Sequence, residues 1–258
     1  MGSRDLKNKP LVEAIFEVHW NLQAKAPGVN IDPHYKLLLG RFYDRVRQLY
    51  PVHEALPQSG IPDELVGNLV QHRFRSAKDE WPLLQIGPGV VACNETAKYT
   101  WPNFKKQAVA CFGALREAYP AVEALKIESL LLRYIDAVEF DYNNEDVFAF
   151  LREKMKVNVA LPGELFEPGK VTPGPSGFLW QCTFNCAAPK SVFMLRFATG
   201  TKGTSPALVW ETMVQSQGEA VPAMPGGLES WLDAAHWITD DWFFKLIDGE
   251  LERRFNGG

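Results

Sequence analysis

The chain reads as an α+β protein, with one or two antiparallel sheets and helices on one face. Three observations predict this. First, Leu11–Trp20 alternates a wholly apolar face (Val12, Ala14, Phe16, Val18, Trp20) with a mixed one (Leu11, Glu13, Ile15, Glu17, His19), the signature of a sheet covered on a single side. Second, two segments bounded by prolines carry apolar residues at helical spacing. Third, the longest apolar run, Ile127–Phe140 (IESLLLRYIDAVEF), lies mid-chain and stops at the turn cluster Asp141-Tyr142-Asn143-Asn144. Ile127, Leu130, Leu131, Tyr134, Ile135 and Val138 also recur at helical spacing, and periodicity alone does not resolve a buried run. The turn cluster, and the need of the earlier elements for a central partner, favour a strand with Arg133 and Tyr134 on opposite sides.

The elements follow in order. After Leu11–Trp20, Asp32-Pro33 predicts a helix start, the aspartate as N-cap and the proline in the first turn. Tyr35, Leu38, Leu39, Phe42, Val46 and Leu49 carry its apolar stripe, and Pro51 stops it. Glu64–Arg75 and Pro82–Asn94 read as two strands joined by a polar turn, with Gly87-Pro88-Gly89 marking a bulge or an edge in the second. A second helix starts after Thr100, displays Phe104, Ala108, Cys111, Phe112, Leu115 and Tyr119, and ends at Pro120. The order βαββαβ over residues 1–142 is the ferredoxin-like plan.

Residues 143–258 form a hairpin-rich half. A short helix (Asp146–Met155) and a proline- and glycine-rich connection (Leu161–Gly177) precede three alternating strands around Phe178–Cys186, Phe193–Phe197 and Leu208–Val214. A long helix, Leu228–Phe255, closes the chain. At 1.5 Å per residue it runs roughly 40 Å, with an apolar stripe through Trp231, Leu232, Ala235, Ile238, Trp242 and Phe243. The two halves share one sheet or abut along Ile127–Phe140.

Composition narrows the function classes. Of 258 residues, 46% are hydrophobic and 22% charged, so a sizeable core is expected. A net charge of −4 argues against general nucleic-acid binding, which needs a basic stripe to displace counterions. Lys36, Arg41, Arg45 and Arg47 are locally basic, but Asp44 interrupts them and a solvated helix face accounts for them. No run approaches the roughly 20 apolar residues of a membrane span. MGSRDLKNKP lacks the apolar core of a signal peptide, and Met1-Gly2-Ser3 reads as a cloning remnant. Cys93, Cys111, Cys182 and Cys186 have no framework spacing. Cys182 and Cys186 on one strand would stand about 13 Å apart, too far for a disulfide. Reduced cysteines and a cytoplasmic location are the expectation.

The segments PLVEAIFEVHW (10–20), PLLQIGPG (82–89), LLRYID (131–136) and DWFFKLIDGELERRF (241–255) occur in this order across nearly the whole chain. In them the chain resembles a sporadically distributed family of uncharacterised prokaryotic proteins. The resemblance implies no activity and no catalytic residues. It supports reading LLRYID as a strand, and the family's patchy distribution implies accessory biology, of the mobile-element or defence kind.

With helices on one face, the open face collects Glu13, Glu17 and His19 from the first strand, Gln85, Gly87 and Gly89 from the third, and Arg133 from the central one. Carboxylate, imidazole and guanidinium together could bind a small anion or move a proton, and the glycines would let a ligand reach the backbone. A structural polar network on a half-buried sheet explains the same residues. Glu13 and Glu17 lie about 13 Å apart, too far for a glycosidase pair. Gly87-Pro88-Gly89 lacks the phosphate-loop lysine, and no G-x-S-x-G, H-E-x-x-H or C-x-x-C occurs. Asp233, His236 and Asp240 share a helix face that could hold a metal, although such a trio is more often a solvated, mutually hydrogen-bonded surface. No metal and no cofactor is expected. Of the eight tryptophans, Trp237 falls off the apolar stripe, so it or the last helix is the candidate surface for a protein partner. Gly257-Gly258 reads as a frayed helix end. The expectation is a soluble, non-catalytic binding or interaction module. The alternative is an enzyme or anion binder with a dispersed Glu/His/Arg site.

Overall fold

The computed structural model describes residues 6–96 and 98–257, so Met1-Gly2-Ser3 and Gly258 lie outside the described residues. The first half contains β1 (Leu11–Trp20), a small hairpin of β2 (Gln23–Ala26) and β3 (Val29–Ile31), α1 (Tyr35–Val46), β4 (Val52–Ala55), α2 (Asp63–Val66), β5 (His72–Arg75), β6 (Leu83–Gly87), β7 (Val90–Glu95), α3 (Trp101–Ala118) and β8 (Ile127–Glu139). The second half adds α4 (Val147–Lys154), β9 (Leu179–Cys186), β10 (Ser191–Lys202), β11 (Ser205–Gln217), α5 (Leu228–Ile247) and α6 (Glu250–Phe255).

Nine strands form one sheet in the order β4-β5-β6-β7-β1-β8-β11-β10-β9. β8 is extended and pairs antiparallel with β1 on one side and β11 on the other, so the two halves meet in a single sheet. It is buried on both faces. Leu130, Leu132 and Tyr134 join the core under the helices, whereas Leu131 and Ala137 lie beneath the opposite surface. Burial on both sides is why its sequence runs almost continuously apolar.

The helices pack on one side. Ala14, Phe16, Val18 and Trp20 of β1 share one hydrophobic cluster with Leu38 and Phe42 of α1, Phe104, Ala108 and Leu115 of α3, and Leu228, Trp231, Leu232 and Ala235 of α5. Asp32 anchors this layer from inside. It does not cap α1 by its side chain as the sequence predicts; the cap position is His34. Its buried carboxylate accepts hydrogen bonds from Trp20 Nε1 at 2.9 Å, Tyr119 Oη at 3.2 Å and the His34 amide at 2.9 Å.

Four further differences from the sequence reading have local causes. Pro82–Asn94 is a hairpin, β6 and β7, because Pro88-Gly89 makes a tight turn with Gly89 at φ +70°. Glu64–Arg75 opens in helix α2, and only His72–Arg75 is strand. Four strands therefore stand between α1 and α3, with β4 at the sheet edge. The closing helix breaks at Asp248-Gly249, where Gly249 adopts φ +119°. In β1, a register shift between Leu11 and Glu13 turns Leu11 toward the core and leaves Val12 exposed. β9 ends the sheet, so its apolar face is only half covered and Phe184 stays exposed. Among the described residues no helix is long and apolar enough to cross a membrane.

Candidate functional site

On the face away from the helices, the sequence-predicted residues pair among themselves and with the sheet. Glu17 Oε2 and His19 Nε2 are 2.8 Å apart. Glu13 Oε1 accepts a hydrogen bond from Asn94 Nδ2 at 2.9 Å. Arg133 does not complete a group with them. Its Nη2 lies 2.7 Å from Glu211 Oε2, whose other oxygen is 3.6 Å from Arg196 Nη1. Gln85 sits between Arg73 of β5 and Ala92 of β7. The glycines make room for the protein's own chain. A Cβ on Gly87 would fall 2.0 Å from the Leu69 carbonyl oxygen, and one on Gly89 2.8 Å from Leu22 Cδ2. The trio on α5 is divided as well. Asp233 pairs with Lys105 at 2.8 Å, while His236 turns inward. Among the described residues no cluster of three or more His, Cys, Asp or Glu side chains could hold a metal ion. Trp237 is 63% exposed on α5.

The cavity lies on the other side of the sheet. A pocket of about 350 Å³ is lined by β8, β11, α5, the start of α3 and residues of the Leu6–Leu11 segment. Each element delivers its residues by simple periodicity. Tyr134 and Asp136 are two apart on β8 and face the helices, Thr212 joins them from β11, and the β1 register shift brings in Leu11. His236, Thr239, Asp240 and Phe243 follow at three-, four- and seven-residue spacing on α5. Trp101 and Phe244 complete the aromatic wall.

Polar groups in the cavity divide into satisfied and unsatisfied. Tyr99 Oη and Tyr134 Oη are 2.9 Å apart, and Tyr134 Oη is 3.1 Å from His236 Nδ1. The His236 ring stacks on Trp101 with centroids 3.9 Å apart. Lys9 Nζ donates to the Tyr99 carbonyl at 2.8 Å, and Thr239 Oγ1 donates back to the α5 backbone. Thr212 Oγ1, in contrast, is buried without a hydrogen-bond partner among the described residues. Asp136 is 2% exposed, and burial pushes its carboxyl up to about 8 against a smaller opposing pull from the Lys202 charge. Burial lowers His236 to about 4 against the raising influence of Asp233, and pushes both tyrosines well above their usual range. At neutral pH burial thus favours the protonated form of Asp136 and the neutral forms of His236, Tyr99 and Tyr134.

The sequence puts Tyr134 on the face opposite Arg133 and marks His236 and Asp240, whereas Asp136 and Thr212 enter the site only through the structure. The signal for Asp136 was present: an acid in step with Leu130, Leu132 and Tyr134 on a core strand is an acid facing the core.

No protein-family model and no curated protein matches the chain. Among solved structures, the chain is similar to the di-domain ARO/CYC StfQ from the steffimycin biosynthetic pathway at 9% identity and a TM-score of 0.23, over 95% of this chain and 98% of that one. At that TM-score the likeness carries no argument about fold or function.

Proposed function

We propose that the protein is a non-catalytic binding module whose ligand is a small, largely apolar molecule held in the cavity under α5. One observation carries the reading: an aromatic-walled space of about 350 Å³ has two buried polar side chains, Asp136 and Thr212, at its floor. Such a space is in the size range of small-molecule sites, and a few convergent polar groups in apolar walls are their usual chemistry. Binding is favoured over catalysis because Tyr99, Tyr134 and His236 Nδ1 already hydrogen-bond to one another in the cavity.

The first half is read as an elaborated ferredoxin-like unit, with β1 between β7 and β8 and the α1 and α3 layer on one face. Membership of the sporadic prokaryotic family belongs to the same proposal. The alternative anion site on the open face has weaker support, since Glu211 already holds Arg133. The test is titration with N-phenyl-1-naphthylamine, a neutral dye that brightens in apolar surroundings. Saturable one-to-one binding in the wild type, lost in Leu11→Trp, is expected. Unchanged binding in Leu11→Trp contradicts the cavity as the site.

A further inference from the structure

The cavity's walls and floor make different demands on a ligand. The walls are aromatic and aliphatic: Leu11, Trp101, Phe243 and Phe244. On the floor, Asp136 of β8 lies opposite Trp210 in register and Thr212 of β11 lies opposite Tyr134, so Asp136 and Thr212 are diagonal neighbours on one face. Diagonal neighbours in an antiparallel pair stand roughly 7–8 Å apart at the backbone, with their side chains closer. That spacing suits two donors converging on one acceptor atom, each through a bond of about 2.8 Å.

Both groups are deeply buried, Asp136 at 2% and Thr212 at 1% exposure. The Thr212 hydroxyl has no partner among the described residues, which is the rare and unfavourable condition for a buried polar atom. We infer that the site recognises a neutral, largely apolar molecule through one carbonyl oxygen, which accepts hydrogen bonds from the Asp136 carboxylic acid and the Thr212 hydroxyl together. A carbonyl oxygen has two lone pairs and no proton, so it satisfies both donors at once. The inference rests on the cavity being the binding site.

The surrounding charges agree with a neutral guest. Groups facing the Asp136 environment are Tyr134 on its own strand, His236 and Asp240 from α5, Tyr99 ahead of α3, Lys9 from the N-terminal segment, and the Lys202 charge from β10. Lys9 is turned to the Tyr99 carbonyl, and burial holds the imidazole of His236 neutral. Burial keeps Asp136 protonated until about pH 8, which preserves its donor at neutral pH. An arrangement of this kind, a carboxylic acid held neutral in an apolar site to donate a hydrogen bond, has precedent in general enzymology.

The test displaces N-phenyl-1-naphthylamine from the protein with tetralin and with 1-tetralone, which differ in the carbonyl. At pH 7 the ketone should compete about tenfold better, the return expected from two added hydrogen bonds of ordinary net strength. The preference should shrink to about threefold in Asp136→Leu or Thr212→Val and vanish in the double variant, persist in Asp136→Asn, and fade above about pH 8 in the wild type but not in Asp136→Asn. Equal competition by both compounds overturns the carbonyl assignment and leaves the cavity reading standing. Failure of the dye and both compounds to bind overturns the cavity reading itself. A preference for 2-aminotetralin over 1-tetralone overturns the assignment in favour of a cation paired with ionised Asp136.

Discussion

Asp136 and His236 tie the cavity to pH in opposite senses. Folded Asp136 keeps its proton to about pH 8, whereas the unfolded chain releases it near 3.8, so its contribution to stability falls as pH rises through that window. Folded His236 stays neutral down to about pH 4 but is protonated below 6.5 when unfolded, so its contribution rises from about 4 to 6.5. The two cancel over the shared range. Between about pH 6.5 and 8 only the Asp136 loss remains, roughly 2 kcal/mol at about 1.4 kcal/mol per pH unit. Urea denaturation at pH 6 and pH 8 should show Asp136→Asn gaining on the wild type by that amount at the higher pH; a difference independent of pH contradicts the buried neutral acid. Asp32 gives a second residue-scale prediction. Asp32→Ala strands the Trp20 and Tyr119 donors in the core and should cost about 3 kcal/mol or more in chemical denaturation, and a loss below about 1 kcal/mol would show that those bonds contribute little. Single residues were only partly legible in the sequence. The inward face of Asp136 follows from strand alternation, but the claim of Glu211 on Arg133 depends on β8 pairing with β11, and no local pattern announces a partner more than seventy positions away.

Among the elements, the strand β8, the stripes of α1 and α3, and the three strands of the second half follow from periodicity and turn residues, except that α1 ends at Val46 and leaves Leu49, expected on its stripe, exposed beyond it. The misreadings cluster at glycines. Pro88-Gly89 turns a single expected strand into two because both flanks, Leu83–Gly87 and Val90–Glu95, are almost wholly buried and offer no polar punctuation. Asp248-Gly249 cuts the last helix although the apolar stripe continues through Leu251 and Phe255. These glycines are not equivalent. Gly87→Ala places a methyl 2.0 Å from the Leu69 carbonyl oxygen, a backbone atom that can yield only by moving the chain against the sheet edge. We expect it to destabilise by at least about 2 kcal/mol, within the range of overpacked sites. Gly40→Ala, in α1 with nothing within 4 Å of the new carbon, should instead stabilise by about 0.5–1 kcal/mol. Melting temperatures of the two variants check both signs, and a tolerated Gly87→Ala would contradict the close backbone approach.

At the scale of the whole molecule, one sheet carries both halves, and the helix layer closes over one side of it. Continuity through β8 predicts a single cooperative unfolding transition, with tryptophan fluorescence and far-ultraviolet dichroism coinciding; two separated transitions would contradict a shared core. The same architecture decides where a ligand can go. The open face holds its own ion pairs, with Arg133 on Glu211 and Glu17 on His19, whereas the covered face retains an aromatic space with the unpartnered Thr212 hydroxyl at its floor. The most direct measurement is a backbone NMR titration with 1-tetralone. The account predicts that shifted amides gather around Leu11, Trp101, Tyr134, Asp136, Thr212 and Phe243; shifts gathered instead around His19, Arg133 and Glu211 would contradict it.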